Sequence, residues 1–182
     1  MTNQVPNILT LLRIVSVPVL LVLLFGENAM DPSNRIITAV IFVLAFLTDI
    51  ADGAIARAWK IESDFGKIAD PIADKALIGV GLVALAYHGL IPAWIVWVIL
   101  GREVFITLLR FWVIRKKVIA ASRGGKLKTI VQIVAITAFI LPLPDLIAFI
   151  APVSMALAVA LTVVTGIDYV IKVAGLSRES TN

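Results

Sequence analysis

Six long apolar runs recur along the chain, and they limit what it can fold into more than any other feature. A helix needs about 20 apolar residues to cross the hydrocarbon core of a bilayer. Of the 182 residues 60% are hydrophobic and 15% are charged, against roughly 45–50% and about 25% in soluble domains. The sequence therefore predicts an all-α integral membrane protein, a six-transmembrane-helix bundle that forms one domain over residues 1–182. The runs cover approximately residues 8–25, 35–56, 71–87, 93–114, 129–141 and 146–171.

Several classes of protein are disfavoured at this stage. The chain has no cysteine, so neither a disulfide framework nor a thiolate site is expected. The N-terminus "MTNQVPNILTLLRIV" does not fit a secretory signal, because it has no basic n-region and Arg13 interrupts its apolar run. We attribute the net charge of +4 to cytoplasmic loops beside anionic lipids and predict no nucleic-acid partner.

Basic residues mark one side of the predicted bundle. They follow the second, fourth and sixth apolar runs, whereas the opposite loops carry only Arg35. The positive-inside rule therefore predicts that both termini lie in the cytoplasm. The alternative is that these charges only anchor helix ends, which accounts well for Lys116 and Lys117. The residues on the basic side are Arg57, Lys60, Lys67, Arg115, Lys116, Lys117, Arg123, Lys126, Lys128, Lys172 and Arg178.

Four aspartates lie between the second and third apolar runs. Asp49 and Asp52 are three residues apart, and Asp70 and Asp74 are four apart, so each pair shares one face of a helix. For the second pair the third helix must extend back through Pro71, and proline is compatible with a first turn. Two neighbouring helix ends could then bring the four carboxylates together.

Carboxylates so close together repel one another unless a cation lies between them. Oxygen ligands without cysteine favour a hard divalent ion, Mg²⁺ or Mn²⁺, and four carboxylates suit two ions. The alternative is a pair of solvated acidic helix ends, salt-bridged to Arg57, Lys60 and Lys75. The helical register of all four aspartates favours the metal site, since ionisable residues bordering membrane spans are functional by default.

Small residues and an arginine adjoin the first aspartate pair. Gly53 and Ala56 allow a large group or a second helix to approach the backbone closely. Arg57 lies one turn beyond Gly53, and arginine suits bidentate phosphate binding. The combination indicates a nucleotide diphosphate or another phosphate ester as ligand.

Written as a pattern, the segment is Asp49-x-x-Asp52-Gly53-x-x-Ala56-Arg57, eight residues, then Gly66-x-x-x-Asp70-x-x-x-Asp74. This resembles the full signature of the CDP-alcohol phosphotransferase family, with every motif position filled. The resemblance covers essentially the whole chain, and it implies that family's six-helix membrane bundle with a cytoplasmic motif. Members of the family are commonly homodimers, so a homodimer is expected.

The resemblance also implies a reaction and roles for these residues. The family moves a phosphatidyl or similar group from a CDP-linked donor to an alcohol and releases CMP. By resemblance, Asp49, Asp52 and Asp70 are metal ligands. Asp74 is the expected base that takes the proton of the acceptor hydroxyl, and it is also a candidate metal ligand. The expected CDP-lipid site contains Gly53, Ala56, Arg57 and Gly66.

Three other segments resemble family members whose acceptor is glycerol 3-phosphate. "PNILTLLR" places Asn7, Thr10 and Arg13 on one helix face, where Asn7 and Thr10 are expected to cap the nucleotide site. The alternative is an amphipathic helix start with Arg13 at the membrane interface. The other two segments are "GKLKTIVQ" and "DYVIK". The expected acceptor residues are Arg110, Lys126, Lys128, Thr129, Gln132, Tyr169 and Lys172.

The charge of these segments agrees with an acceptor that carries its own phosphate. Lys126 and Lys128 near a helix N-terminus would combine ammonium groups with free backbone N–H groups. Inositol phosphate fits the charge equally well, and only the similar strings favour glycerol 3-phosphate. The alternative for "RGGKLK" is a basic loop that anchors the chain to the membrane.

The resemblance therefore implies transfer of the phosphatidyl group from CDP-diacylglycerol to glycerol 3-phosphate, and the charge pattern places it at the cytoplasmic face of the bacterial membrane. Two family alternatives stay open, a cardiolipin synthase type with phosphatidylglycerol as acceptor and an inositol-phosphate type. A divalent-cation transporter is the alternative from another class. A transporter would more commonly place its acidic residues near the middle of several spans.

Overall fold

The computed structural model describes the backbone of residues 5–59, 64–113 and 123–179, and the side chains of residues 12, 14–48, 50, 75–109 and 127–175. Within these ranges the chain forms six α-helices. They are α1 (Val5–Phe25), α2 (Pro32–Trp59), α3 (Asp64–Tyr87), α4 (Ala93–Val113), α5 (Arg123–Ile140) and α6 (Ile150–Glu179).

The six predicted helices are present, but several predicted boundaries were wrong. Helix α3 begins at Asp64, whereas the apolar run begins near Pro71, and α5 begins at Arg123 and not after Lys128. Helix α6 begins at Ile150, later than predicted, and continues to Glu179. Hydropathy detects only the apolar part of a helix, whereas backbone hydrogen bonds continue through polar residues at its ends.

Contacts between helices show that the bundle alternates in direction. Arg35 at the start of α2 contacts Ile140 at the end of α5, and His88 after α3 contacts Leu24 at the end of α1. Lys75, in the middle of α3, contacts Thr107 in the C-terminal half of α4. One end of the bundle therefore gathers the N-terminal ends of α1, α3 and α5 and the C-terminal ends of α2 and α4. We call it the motif end, because the signature lies there.

The core lies where α2, α3 and α5 meet, and α3 contacts α1, α2, α4 and α5. Phe42 and Ile136 are fully buried. A Cβ atom on Gly81 would lie 2.8 Å from Ile136 Cγ2 and 3.2 Å from Phe42 Cε2. Glycine at this position therefore lets α3 approach its two neighbours closely, as small residues do in membrane helix packing.

At the opposite end of the bundle, side chains bind the carbonyl groups that helix ends leave unsatisfied. The Arg35 guanidinium donates to the carbonyl oxygens of Phe139, Ile140 and Leu141 at 3.0, 2.8 and 3.0 Å. We call this arrangement the Arg35 clamp. It joins the start of α2 to the end of α5.

Helix α3 ends at this same end of the bundle in a Schellman motif. Gly89 has a φ of 70°, and the amide of Leu90 donates to the carbonyl oxygen of Leu85. His88, next to this turn, is partly buried, and its Nε2 lies 2.7 Å from the carbonyl oxygen of Leu24.

Replacing Arg35 with glutamine is expected to lower the free energy of unfolding by about 2 kcal/mol or more. The change removes the charge and the donors that serve the three carbonyl groups of α5. A thermal melt in detergent measures the loss. Glu27→Gln, in the exposed loop before α2, is the control and should change stability by less than about 0.5 kcal/mol. An unchanged melting temperature for Arg35→Gln would contradict a stabilising role for the clamp.

The outside of the bundle is strongly apolar. Side chains on different helices, such as Val22, Trp97 and Val164, are each more than 60% exposed. Patches of this kind are unusual on soluble monomers. Within the described residues, one helical segment, Ile150–Gly175 of α6, is long and apolar enough to cross a bilayer. Four shorter apolar helical segments accompany it: Ile14–Phe25, Pro32–Thr48, Lys75–Tyr87 and Leu127–Ile140.

Candidate active site

The backbone places all four signature aspartates in helices at the motif end. Asp49 and Asp52 lie in the C-terminal part of α2, which continues to Trp59 and so includes Gly53, Ala56 and Arg57. Their side chains lie outside the described residues, as do those of Asn7, Thr10, Gly66, Asp70, Asp74, Arg110 and Lys126. The roles assigned to these residues stay predictions.

The second aspartate pair depended on a helix that extends back through Pro71, and α3 does so. Because α3 begins at Asp64, Asp70 and Asp74 lie one turn apart on a continuous helix. The sequence predicted Pro71 in the first turn of the helix, but Pro71 lies two turns inside α3. Asp64 is the first residue of this helix.

The donor chemistry at the motif end fits a divalent cation. Helices α2 and α3 contact each other and each carries a pair of aspartates in helical register. Two pairs on adjacent helices supply the oxygen ligands that Mg²⁺ and Mn²⁺ prefer. Among the side chains that the structure describes, no group of three His, Asp or Glu residues could hold a metal ion. The four signature aspartates stay the predicted ligands, on the strength of their spacing alone.

A polar cluster, which we call the Glu103 cluster, lies between α3, α4, α5 and α6. The Lys128 ammonium donates to Glu103 Oε1 and makes a salt bridge with it. Arg102 Nη1 donates to the same oxygen at 3.1 Å. Lys128 is only 4% exposed, so its charge is compensated inside the bundle and not by bulk water.

Two threonines connect this cluster to neighbouring helices. Lys75 Nζ donates to Thr107 Oγ1 at 2.6 Å, and Thr107 donates to the backbone carbonyl of Glu103 at 2.7 Å. Arg102 Nη2 donates to Thr165 Oγ1 on α6 at 3.1 Å. Because Lys75 directly follows Asp74 in the chain, the Glu103 cluster lies beside the part of α3 that carries the signature.

Gln132 lies one turn beyond Lys128 on α5 and is fully buried. The hydroxyl of Thr162 donates to the carbonyl oxygen of Ala158 at 2.7 Å, so it accepts from Gln132 Nε2 at 3.0 Å. Gln132 Oε1 has no hydrogen-bond partner among the described residues. Its carbonyl oxygen is therefore a buried acceptor with capacity for a further donor.

The remaining predicted acceptor residues lie on the same two helices. Lys172 makes an exposed salt bridge of 2.7 Å with Asp168, four residues earlier on α6. Tyr169 and Thr129 are partly buried, on α6 and α5. The structure thus places Lys128, Thr129 and Gln132 in the second and third turns of α5, with Tyr169 and Lys172 towards the C-terminal end of α6.

Arg102 and Glu103 are adjacent in the chain, and their side chains form a salt bridge of 3.1 Å. Sequence reasoning missed the role of Glu103 as a shared partner, because its carboxylate also binds Lys128, 25 residues away. The available signal was a carboxylate within an apolar helix, which needs a partner in the bundle interior. The partner itself could not be read from the sequence because it depends on helix packing.

Comparison with known proteins agrees with the signature. The profile of the CDP-alcohol phosphatidyltransferase family matches residues 3–164. The chain therefore belongs to the CDP-alcohol phosphatidyltransferase family.

Curated relatives are similar over nearly the whole chain. A Mycobacterium tuberculosis H37Rv protein named "Probable phosphatidylglycerophosphate synthase" is 50% identical, over 90% of this chain and 78% of its own length. Two proteins named CDP-diacylglycerol–glycerol-3-phosphate 3-phosphatidyltransferase are also similar. The one from Bacillus subtilis is 36% identical, over 91% of this chain and 93% of its own. The one from Rickettsia typhi is 35% identical, over 92% and 95%.

Proposed function

We propose that this protein transfers the phosphatidyl group of CDP-diacylglycerol to glycerol 3-phosphate and forms phosphatidylglycerophosphate and CMP. The observation that carries the proposal is the complete aspartate signature on two adjacent helices, α2 and α3. The names of the similar proteins support the same donor and acceptor.

The Glu103 cluster supports a phosphorylated acceptor. Arg102 and Lys128 both contact the Glu103 carboxylate, and Lys75 joins them through Thr107. Cations therefore outnumber carboxylates among the described members of this cluster. A neutral alcohol would leave that positive charge uncompensated, whereas a phosphate group would balance it.

The reaction needs one positioned base. The acceptor hydroxyl attacks the phosphorus that carries diacylglycerol, the bond from that phosphorus to the oxygen bridging to CMP breaks, and CMP leaves with that electron pair. The proton of the hydroxyl passes to the Asp74 carboxylate. Arg57 is suited to bind the diphosphate, since its planar guanidinium can bond two phosphate oxygens.

Asp49, Asp52, Asp70 and Asp74 would hold two divalent cations, Mg²⁺ or Mn²⁺. When bound, such ions would neutralise the charge of the diphosphate and the charge that develops on the departing CMP. The aspartates would otherwise repel one another, so the same ions would also let the ends of α2 and α3 remain adjacent.

We also propose six membrane-crossing helices, with the motif end and both termini on the cytoplasmic side of a bacterial membrane. The basic residues between α4 and α5 support this orientation. Both substrates are then reached from that side, glycerol 3-phosphate from solution and the CDP-lipid from the bilayer. A homodimer is part of the proposal and follows from the family resemblance. Crosslinking in membranes tests the dimer, and accessibility labelling of single introduced cysteines tests the orientation.

A direct assay tests the function. Purified protein in detergent receives CDP-diacylglycerol, radiolabelled glycerol 3-phosphate and Mg²⁺ or Mn²⁺. We expect labelled lipid and CMP in equal amounts. Parallel reactions contain inositol phosphate or phosphatidylglycerol in place of glycerol 3-phosphate. Turnover with one of those acceptors and none with glycerol 3-phosphate would show that the proposed acceptor is wrong.

Lys126→Ala is expected to raise the KM for glycerol 3-phosphate about tenfold and to leave the KM for CDP-diacylglycerol within about twofold. The reason is that Lys126 would contact the acceptor phosphate only. Steady-state kinetics with each substrate varied in turn measures both constants. Lys116→Ala removes a charge from the same basic segment and should change neither. Equal effects of Lys126→Ala on both constants would contradict the acceptor role.

A further inference from the structure

Glu103 has no place in the family signature or in the segments that suggested the acceptor, yet it lies at the centre of the polar contacts in this part of the bundle. A single carboxylate oxygen, Oε1, accepts from Lys128 on α5 and from Arg102 on α4. The backbone carbonyl of the same residue accepts from Thr107, which in turn accepts from Lys75 on α3. Glu103 thus connects cations from three helices.

Because Lys128 is buried, its contact with Glu103 determines both the rotamer and the charge state of the lysine. A lysine side chain is a flexible four-carbon stem with a compact charge, and it has several competing rotamers. At 4% exposure its ammonium cannot be satisfied by bulk water. Binding to Glu103 selects one rotamer and keeps the charged form inside the bundle.

Arg102 is held from two further sides. Its Nη2 donates to Thr165, and a Cβ atom on Gly166 would lie 3.3 Å from both Arg102 Cγ and Nε. The guanidinium therefore fills the space that a glycine leaves on α6. Arg102 Nε is buried and has no hydrogen-bond partner among the described residues. The cluster accordingly retains both a positive charge and a buried donor.

We propose that Glu103 is a positioning residue for the acceptor phosphate: it holds Lys128 and Arg102 together, and so gives the protein its preference for a phosphorylated alcohol. This inference rests on the proposed function, because it assigns the excess positive charge to the acceptor. Glu103 itself does not touch the phosphate, since like charges would repel. Its effect passes through the two cations that it orients.

Glu103→Gln tests the proposal, because it keeps the size of the side chain and removes its charge. We expect the KM for glycerol 3-phosphate to rise about tenfold or more, with the KM for CDP-diacylglycerol unchanged within about twofold. Glu103→Asp keeps the charge on a shorter stem and should restore part of the loss. A purely structural role would instead change both constants together or lower the melting temperature without a change in either.

Two matched variants separate positioning from stability. Arg35→Gln removes a partly buried cation at the opposite end of the bundle, and it should lower the melting temperature while leaving the KM for glycerol 3-phosphate unchanged. Gly166→Ala should displace Arg102 by a few tenths of an ångström and raise that KM a few-fold. Gly175→Ala is its control on the same helix, because a Cβ atom there meets nothing within 4 Å.

The outcomes distinguish the inference from the function on which it rests. If wild-type protein makes no labelled lipid from glycerol 3-phosphate, the proposed function fails whatever the variants do. If wild-type protein is active, and Glu103→Gln lowers the KM for glycerol 3-phosphate or changes both KM values equally, the positioning role is wrong. If Glu103→Gln does not fold, the Gly166→Ala variant tests the proposal. The same KM for glycerol 3-phosphate in Gly166→Ala and Gly175→Ala would overturn it.

Discussion

Asp74→Asn is expected to lower turnover by about 10²- to 10⁴-fold while largely sparing CDP-diacylglycerol binding. Asparagine keeps the shape and one oxygen of the side chain but cannot take the proton of the acceptor hydroxyl. The residue lies on α3 one turn from Asp70, so the change leaves the neighbouring candidate ligands in place. Labelled-lipid formation measures turnover, and a filter or calorimetric assay measures donor binding.

Asp64→Asn is the matched control for this prediction. It removes a carboxylate from the same helix and the same end of the bundle, outside the signature. Its turnover should stay within about twofold of wild type. Substantial activity of Asp74→Asn would remove Asp74 as the base. A parallel loss of donor binding would show that its main role is to hold the metal or the CDP-lipid, and not to act as the base.

Chelation of divalent cations is expected to reduce turnover by about 10³-fold or more. Bound cations contribute several kcal/mol to charge stabilisation in reactions of this kind, and each 1.36 kcal/mol is tenfold in rate. Addition of Mg²⁺ or Mn²⁺ in excess of the chelator should restore the rate. The measurement is CMP release at fixed substrate concentrations.

A thermal melt under the same conditions provides the control, because it separates a missing ion from an unfolded protein. Full turnover in excess chelator would contradict the metal site and would favour solvated, salt-bridged helix ends at Asp49, Asp52, Asp70 and Asp74. If the donor binds only when metal is present but is transferred to no acceptor, the metal site is supported and the proposed acceptor site is wrong.

Much of the fold could be predicted from the sequence because two simple signals agreed. Apolar runs located all six helices, and the spacing of Asp70 and Asp74 required a helix that continues through Pro71, as α3 does. Both signals depend on residues within a few positions of one another. Boundaries were less accurate because charged residues such as Lys128 continue a helix that hydropathy no longer detects.

The contacts between helices could not be predicted in the same way. Lys75 and Thr107 are 32 residues apart, and Gln132 and Thr162 are 30 apart, so their pairing depends on how the helices pack. Arg35 was read only as a charge in an external loop, yet it binds carbonyl groups, which carry no sequence signature. The Glu103 cluster is built from contacts of this kind, which explains why the aspartate signature is the clearer part of the sequence.

The Arg35 clamp also gives the growing chain an order of assembly. The Arg35 guanidinium is synthesised with α2. Its carbonyl partners at residues 139–141 are synthesised 104 to 106 residues later. At about 5–20 residues per second, the arginine waits on the order of 5–20 seconds for them. A nascent chain that stops after α4 therefore leaves this cation without its carbonyl partners. Completion of α5 supplies them, so one side chain distinguishes a chain that has formed α5 from a chain that stopped before it.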